Sequence, residues 1–369
     1  MSAIGAPAGS GRSRCDNRGV SIASLQETVA SGFAERWAEQ EEQLLSPQAA
    51  RSYPARRAHE ERDCSLRTPF QRDRDRIVHC KAFRRLTHKT QVFVAPQGDH
   101  YRTRLTHTLE VTSISRTVAR ALRLNEDLVE AIGLGHDLGH PPFGHLGEEV
   151  LDGCLKERFG RDFRHYEHSL RVVEHLERDG AGLNLTEQVR DGIARHSSRT
   201  PAPQTLEGAI VRVIDRVAYI NHDIDDAVRA GLLSEEELPR EPIAVLGDSG
   251  SARIDALVHD MVEHSQRAGE IVQGPLAGPA MAELREFMFE RVYLGPAVRA
   301  EREKIAAVLR RLFEHYSDHP ERLPGAPGEA PHGDDQELAQ RVTDYLAGMT
   351  DRYCIREYTE LQVPRAFAR

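Results

Sequence analysis

Apolar residues recur at helical spacing through most of the chain. Val111, Ile114, Val118, Ala121 and Leu122 fall on one stripe, and Leu206, Ile210, Val213, Ile214, Val217 and Ile220 on another. A 3.6-residue period of this kind predicts helices with one buried side. Asn125 is placed to cap a helix over Glu126–His136. The Pro141-Pro142 pair must end that helix, because proline lacks the amide donor and clashes with the preceding turn. Thr186 and Thr205 are the expected caps of two further helices, with Gly231 as the stop of the second. A polar helix is expected near Phe33–Leu45, while Gly274–Pro279 and Leu323–Gly333 read as loops. No internal repeat and no convincing period-two run is present. The pattern predicts an all-α protein in three parts: a tail and helix over 1–60, a dense helical core over 61–231, and a charged helical region over 232–369.

Composition narrows this further. A chain of 369 residues, 39% hydrophobic and 29% charged, has the profile of a soluble helical protein with a sizeable core. It contains no apolar run long enough to span a bilayer, so no membrane partner is expected. The first 25 residues lack a continuous apolar stretch, which argues against a secretory signal. The 5 cysteines are scattered with no CxxC pair, so a reducing, cytoplasmic setting fits best. The net charge is −9, yet Arg51–Lys89 holds 12 Lys/Arg against 5 Asp/Glu. Such a block suits an anionic ligand such as phosphate, or an ion-paired surface.

Histidine is concentrated in the same region, often beside acids. His136-Asp137 near a helix end can offer an imidazole nitrogen and a carboxylate oxygen to one divalent ion. His107 upstream and Asp215, which interrupts an apolar helix pattern, are the candidates to complete the set. Two nitrogens and two oxygens make a mixed site that suits Mn²⁺, Mg²⁺, Co²⁺, Fe²⁺ or Zn²⁺, with Mn²⁺ taken as the first expectation. Taken singly, each piece has a plainer reading as a capping residue or an ion pair; the ordered set is what carries the metal reading. His145 and Glu148 lie three apart and can face one side of the next helix. Arg104 precedes His107 by three, so its guanidinium can share that site and clamp phosphate. Asp215, Tyr219 and Asp223 step by four along one helix stripe.

The order His107…His136-Asp137…Asp215 is the signature of the HD-domain phosphohydrolase superfamily. The longer blocks RTPFQRDRDRIVHCKAFRRLTHKTQVF, GDHYRTRLTHTLEV, GLGHDLGHPPFGHLGE, GLNLTEQVRDGIARHS and YINHDIDD resemble the deoxyguanosine-triphosphate triphosphohydrolase family. The resemblance covers residues 60–231, and the C-terminal region is similar to the helical domain associated with these hydrolases. It implies an HD-domain helical bundle that cleaves a dNTP at its α-phosphate, giving deoxynucleoside and tripolyphosphate. By the same resemblance His145 and Glu148 form a catalytic pair, and His165 is an active-site histidine. His140 would contact phosphate, Gln91 would face the deoxyribose, and Tyr219 and Asp223 would read the sugar. His168 stands where the family more often has glutamine, which separates it from that pattern. Closed homo-oligomers are common in the family, some members bind single-stranded nucleic acid, and a second dNTP can act as an allosteric partner. Two other readings stay open at this point: an HD phosphohydrolase acting on nucleoside monophosphates, and a nucleotide-sensing or single-strand-binding protein with little turnover.

Overall fold

The computed structural model describes residues 32–91, 102–324 and 334–364. Most of the expected N-terminal tail and of the Leu323–Gly333 loop lies outside them. Among the described residues there are fifteen α-helices and no strand, only two isolated bridges. The first is α1 (Phe33–Leu44), followed by α2 (Pro69–His79) and the short α3 (Lys81–Arg85). Then come α4 (Arg104–Ala121), α5 (Glu126–Gly135), α6 (Gly144–Phe159), α7 (His165–Arg171), α8 (Glu187–Ala194) and α9 (Leu206–Arg229). The C-terminal part holds α10 (Arg240–Leu246), α11 (Gly250–Ala268), α12 (Ala277–Met288), α13 (Pro296–Asp318), α14 (Asp335–Ala347) and α15 (Asp351–Gln362).

The caps show why the chain folds this way locally. Asn125 accepts from the Leu128 amide and Thr205 from the Gly208 amide, as their sequence positions predict. Gly231 follows the end of α9 at φ 68°, where a side chain would be strained. Thr186 differs. Its side chain makes no cap bond to α8, and its own amide donates instead to Asp73 Oδ2 at 2.7 Å. Two smaller expectations also change. Ala121 is exposed at the end of its stripe, and Ala277–Pro279 forms the first turn of α12, where proline is tolerated.

Helices α4, α5 and α9 pack on one another, with α2 and α8 closing over α5. Ile210, Ile214 and Val217 of α9 are fully buried in this core. Each contributes about 1.5–3 kcal/mol by leaving water. Helices α10–α12 extend the same apolar cluster, whereas α6 forms a second one with α13, α14 and α15. The two clusters meet where the HD-type residues lie. A buried polar knot ties the N-terminal segment to the first core. Glu207, fully buried, accepts the Ala50 and Asn125 amides at 2.9 and 3.0 Å. Glu207→Ala is expected to cost about 2–4 kcal/mol in urea unfolding, because two buried donors lose their acceptor, while Glu207→Gln retains the one oxygen, Oε1, that accepts both and costs less.

Candidate active site

The centre of the site is built on two helix ends and one helix wall. His107 projects from the first turn of α4, and His136-Asp137 follow directly on α5. Asp215 sits midway along α9. Their ligand atoms converge. His107 Nε2 lies 3.1 Å from Asp215 Oδ1 and 3.9 Å from Asp137 Oδ2. His136 Nε2 lies 3.6 Å from Asp137 Oδ1 and 3.8 Å from Asp215 Oδ1. His136 is fixed by a 2.7 Å contact from Nδ1 to the Gly133 carbonyl, so its tautomer leaves Nε2 as a bare acceptor. That buried Nε2 has no hydrogen-bond partner. An orphaned imidazole lone pair beside two carboxylates is what a divalent ion would satisfy, so the donor set fits the expected metal.

Electrostatics agree with two ionised carboxylates. Burial alone would raise Asp137, but His136, Arg104, His140 and His107 around it hold it well below the usual range. Asp215 is likewise opposed by burial, yet the His107 hydrogen bond and nearby His136 bring it down to about 2. Arg104, almost fully buried, donates from Nη1 to Asp137 Oδ2 at 2.6 Å, and its Nε and Nη2 have no partner.

Beside this set stands a second group. Glu148 lies 2.9 Å from His165 Nδ1 and 3.4 Å from His145 Nδ1, and also accepts the His165 amide at 3.1 Å. The carboxylate is therefore shared, and His165 is the nearer partner. His165 and His140 stack with ring centroids 3.9 Å apart, and His140 Nε2 lies 3.4 Å from Asp137 Oδ1. Burial with Arg104 and His165 nearby keeps His140 neutral, well below its ordinary pKa. His145 is exposed, unlike the rest. It enters α6 just after Phe143, a non-glycine residue at φ 63° whose amide donates to Asp351 Oδ1 at 2.9 Å. A strained backbone of this kind persists only where its surroundings hold it. Gly139 shows how tight the packing is. A Cβ there would sit 2.1 Å from the Ser169 amide nitrogen, so α7 approaches only because that position is glycine.

On the α9 wall, Tyr219 accepts at its hydroxyl from Arg285 Nε at 2.8 Å, and Asp223 accepts from the Tyr293 hydroxyl. Burial raises Asp223 to about 7. Gln91 is buried with its Oε1 unpartnered, at the edge of the described residues. The Arg51–Lys89 block is mostly engaged. Arg57, Arg67, Arg72, Arg74 and Arg76 pair with Asp73, Asp75, Glu61 or Glu130. Lys89 is buried and donates to the His140 and Ala347 carbonyls at 2.5 and 2.8 Å, linking the site to α14. His168 is a strut between the Gly139 carbonyl at 3.1 Å and Asp344 at 3.4 Å.

Sequence reasoning did not single out His196, His222, Tyr293, Arg285 or Asp351. His196 and His222 stand inside quoted blocks but carry no periodic signal. The others reach the site from α12 to α15, through contacts that no local pattern encodes.

An all-α bundle that brings His and Asp side chains together from converging helix ends is the arrangement of an HD-domain hydrolase. The HD domain profile matches residues 104–220, and the phosphohydrolase-associated domain profile matches residues 274–360. The chain is 54% identical over 88% of its length to a deoxyguanosinetriphosphate triphosphohydrolase-like protein of Caldanaerobacter subterraneus, 94% of which is covered. It is 46% identical to proteins of the same name from Clostridium perfringens, over 81% of this chain and 88% of that one, and Desulfatibacillum aliphaticivorans, over 89% and 98%. The chain belongs to the deoxyguanosinetriphosphate triphosphohydrolase-like family. Among the described residues no helix is long and apolar enough to cross a membrane.

Proposed function

We propose that this protein hydrolyses deoxynucleoside triphosphates, dGTP or dNTPs generally, to the deoxynucleoside and inorganic tripolyphosphate. The observation that carries this reading is the adjacency of the His107, His136, Asp137 and Asp215 set to the Arg104 guanidinium and to the His145–Glu148–His165 group. A divalent ion on that set, Mn²⁺ foremost, would supply a Lewis acid for an α-phosphate oxygen. The chain's own groups do the rest. Arg104 holds Asp137 ionised with one nitrogen and keeps two unpartnered donors for a phosphate oxygen. Glu148 orients its histidines, and His145, whose ring is exposed, moves a proton to or from the 5′-oxygen or the attacking water. Water's oxygen joins the α-phosphorus, the bond to the 5′-oxygen breaks, and the proton ends on the departing nucleoside.

Selectivity for the sugar is assigned to the α9 wall. Tyr219 packs where C2′ would lie and Asp223 takes the 3′-hydroxyl, exchanging its Tyr293 bond for one to the substrate. Asp223→Asn is expected to raise KM for dNTPs ~10-fold, and Tyr219→Ala to narrow the preference for dNTP over NTP by ~10–10²-fold. Steady-state kinetics on dGTP and GTP check both. The reaction class itself is tested by chromatography of products from each of the four dNTPs and GTP with Mn²⁺. Deoxynucleoside with tripolyphosphate supports the proposal. Pyrophosphate or orthophosphate would place the chain with other HD phosphohydrolases, and absence of turnover would favour a sensing or single-strand-binding role. A homo-oligomer and a regulatory dNTP are proposed on family grounds alone.

A further inference from the structure

Asp351 is the first residue of α15, where an acid is ordinary because helix N-termini favour negative charge. Its carboxylate is nonetheless engaged elsewhere. Thr350 caps α15 by accepting the Tyr353 amide at 3.3 Å, and both oxygens of the buried Asp351 reach across to other segments. Oδ1 accepts the Phe143 amide at 2.9 Å. Oδ2 accepts the Thr90 amide at 2.8 Å, together with the Thr90 hydroxyl.

Each of those segments leads directly into the site. Phe143 and Gly144 stand in succession at φ 63° and 59°, in the left-handed region, and His145 follows. Such a pair persists only where its surroundings hold it. A Cβ on Gly144 would fall 2.8 Å from Arg104 Nη2 and 3.1 Å from the Gln91 carbonyl oxygen. The turn is therefore seated against both the guanidinium and the 90–91 segment. The His145 ring is exposed and its contact to Glu148 is long, at 3.4 Å, so its aim depends on the backbone before it. On the other side, the Lys89 carbonyl accepts the Arg104 amide at 3.1 Å and Thr90 bridges Thr103. Gln91 comes next, with its Oε1 unpartnered.

We infer that Asp351 is a positioning residue for the proposed hydrolysis. One carboxylate from the C-terminal region sets both the turn that aims His145 and the segment that presents Gln91 to the sugar. Asp351 itself meets neither substrate nor ion, and its role rests on the hydrolase reading given above.

The test is Asp351→Ala in the full-length protein, made once in the wild-type chain and once in the His145→Ala background, with dGTP and Mn²⁺. Misplacing a reacting group by about 1 Å can cost ~10²-fold, so kcat is expected to fall ~10–10²-fold in the wild-type background. KM is expected to rise ~3–10-fold through Gln91, with metal content unchanged. In the His145→Ala background the same substitution is expected to lower kcat less than ~3-fold, because the group it positions is already gone. A merely structural contact would cost the same factor in both. Asp351→Asn, which keeps the bulk and one acceptor oxygen, serves if the alanine variant does not fold, and is expected to follow the same pattern with smaller losses. Unchanged kinetics in the Asp351 variant, or equal kcat losses in the two backgrounds, would overturn the role. Absence of turnover in the wild-type chain would instead remove the hydrolase reading, and this role with it.

Discussion

His136→Ala is expected to lower turnover at least ~10³-fold and to abolish the tight binding of a divalent ion, while the chain still folds. The loss follows from the placement of Nε2. It is buried without a hydrogen bond and faces both carboxylates, Asp137 Oδ1 at 3.6 Å and Asp215 Oδ1 at 3.8 Å. Alanine removes that donor and leaves Asp137 and Asp215 facing each other with less neutralisation. Asp137 is a poorer test of the same idea. Its removal would strand Arg104, which is almost fully buried and depends on that carboxylate. A variant of that kind loses stability along with the ion. Metal content and kcat measured on folded His136→Ala protein therefore isolate the claim. Wild-type rate in that variant would mean that the ion sits elsewhere or is not needed.

His145→Ala is expected to reduce kcat ~10²–10⁴-fold with metal content unchanged. Its ring is 69% exposed and lies 3.4 Å from Glu148, so truncation opens no core cavity and frees no ligand. Glu148→Gln should give a larger structural disturbance, because the same carboxylate holds His165 and its amide. Burial alone would raise Glu148. His165 and the hydrogen bond to His145 instead hold it far below the usual carboxylate range. Because its folded pKa is depressed, its contribution to stability is present above the unfolded carboxylate value and is lost as pH falls below it. A kcat loss in His145→Ala matched by loss of metal would show that His145 is a ligand and not a proton carrier.

Much of this was legible in the sequence. The helical class follows from the spacing of apolar residues on α4 and α9, and the caps Asn125 and Thr205 from residue type alone. The metal-type set was visible because three of its four members sit in two short blocks and the fourth breaks an apolar stripe. What was not legible is of another kind. The Glu148 carboxylate turns out nearer to His165 than to His145, although His145 is its helical neighbour, because α7 is drawn in over Gly139. Tyr293 and Arg285 occupy the polar ends of Asp223 and Tyr219 from the far side of α9. Asp351 pins Phe143 in its left-handed turn from more than two hundred residues away in sequence. Contacts of that range depend on how the two apolar clusters meet, which periodicity does not encode.

The central claim is attack of water at the α-phosphorus with release of the intact triphosphate. The most direct measurement is turnover of dGTP in heavy-oxygen water, with both products weighed by mass spectrometry. The account predicts one heavy oxygen in the tripolyphosphate and none in the deoxyguanosine. Heavy oxygen in the nucleoside, or label distributed into pyrophosphate or orthophosphate, would contradict it.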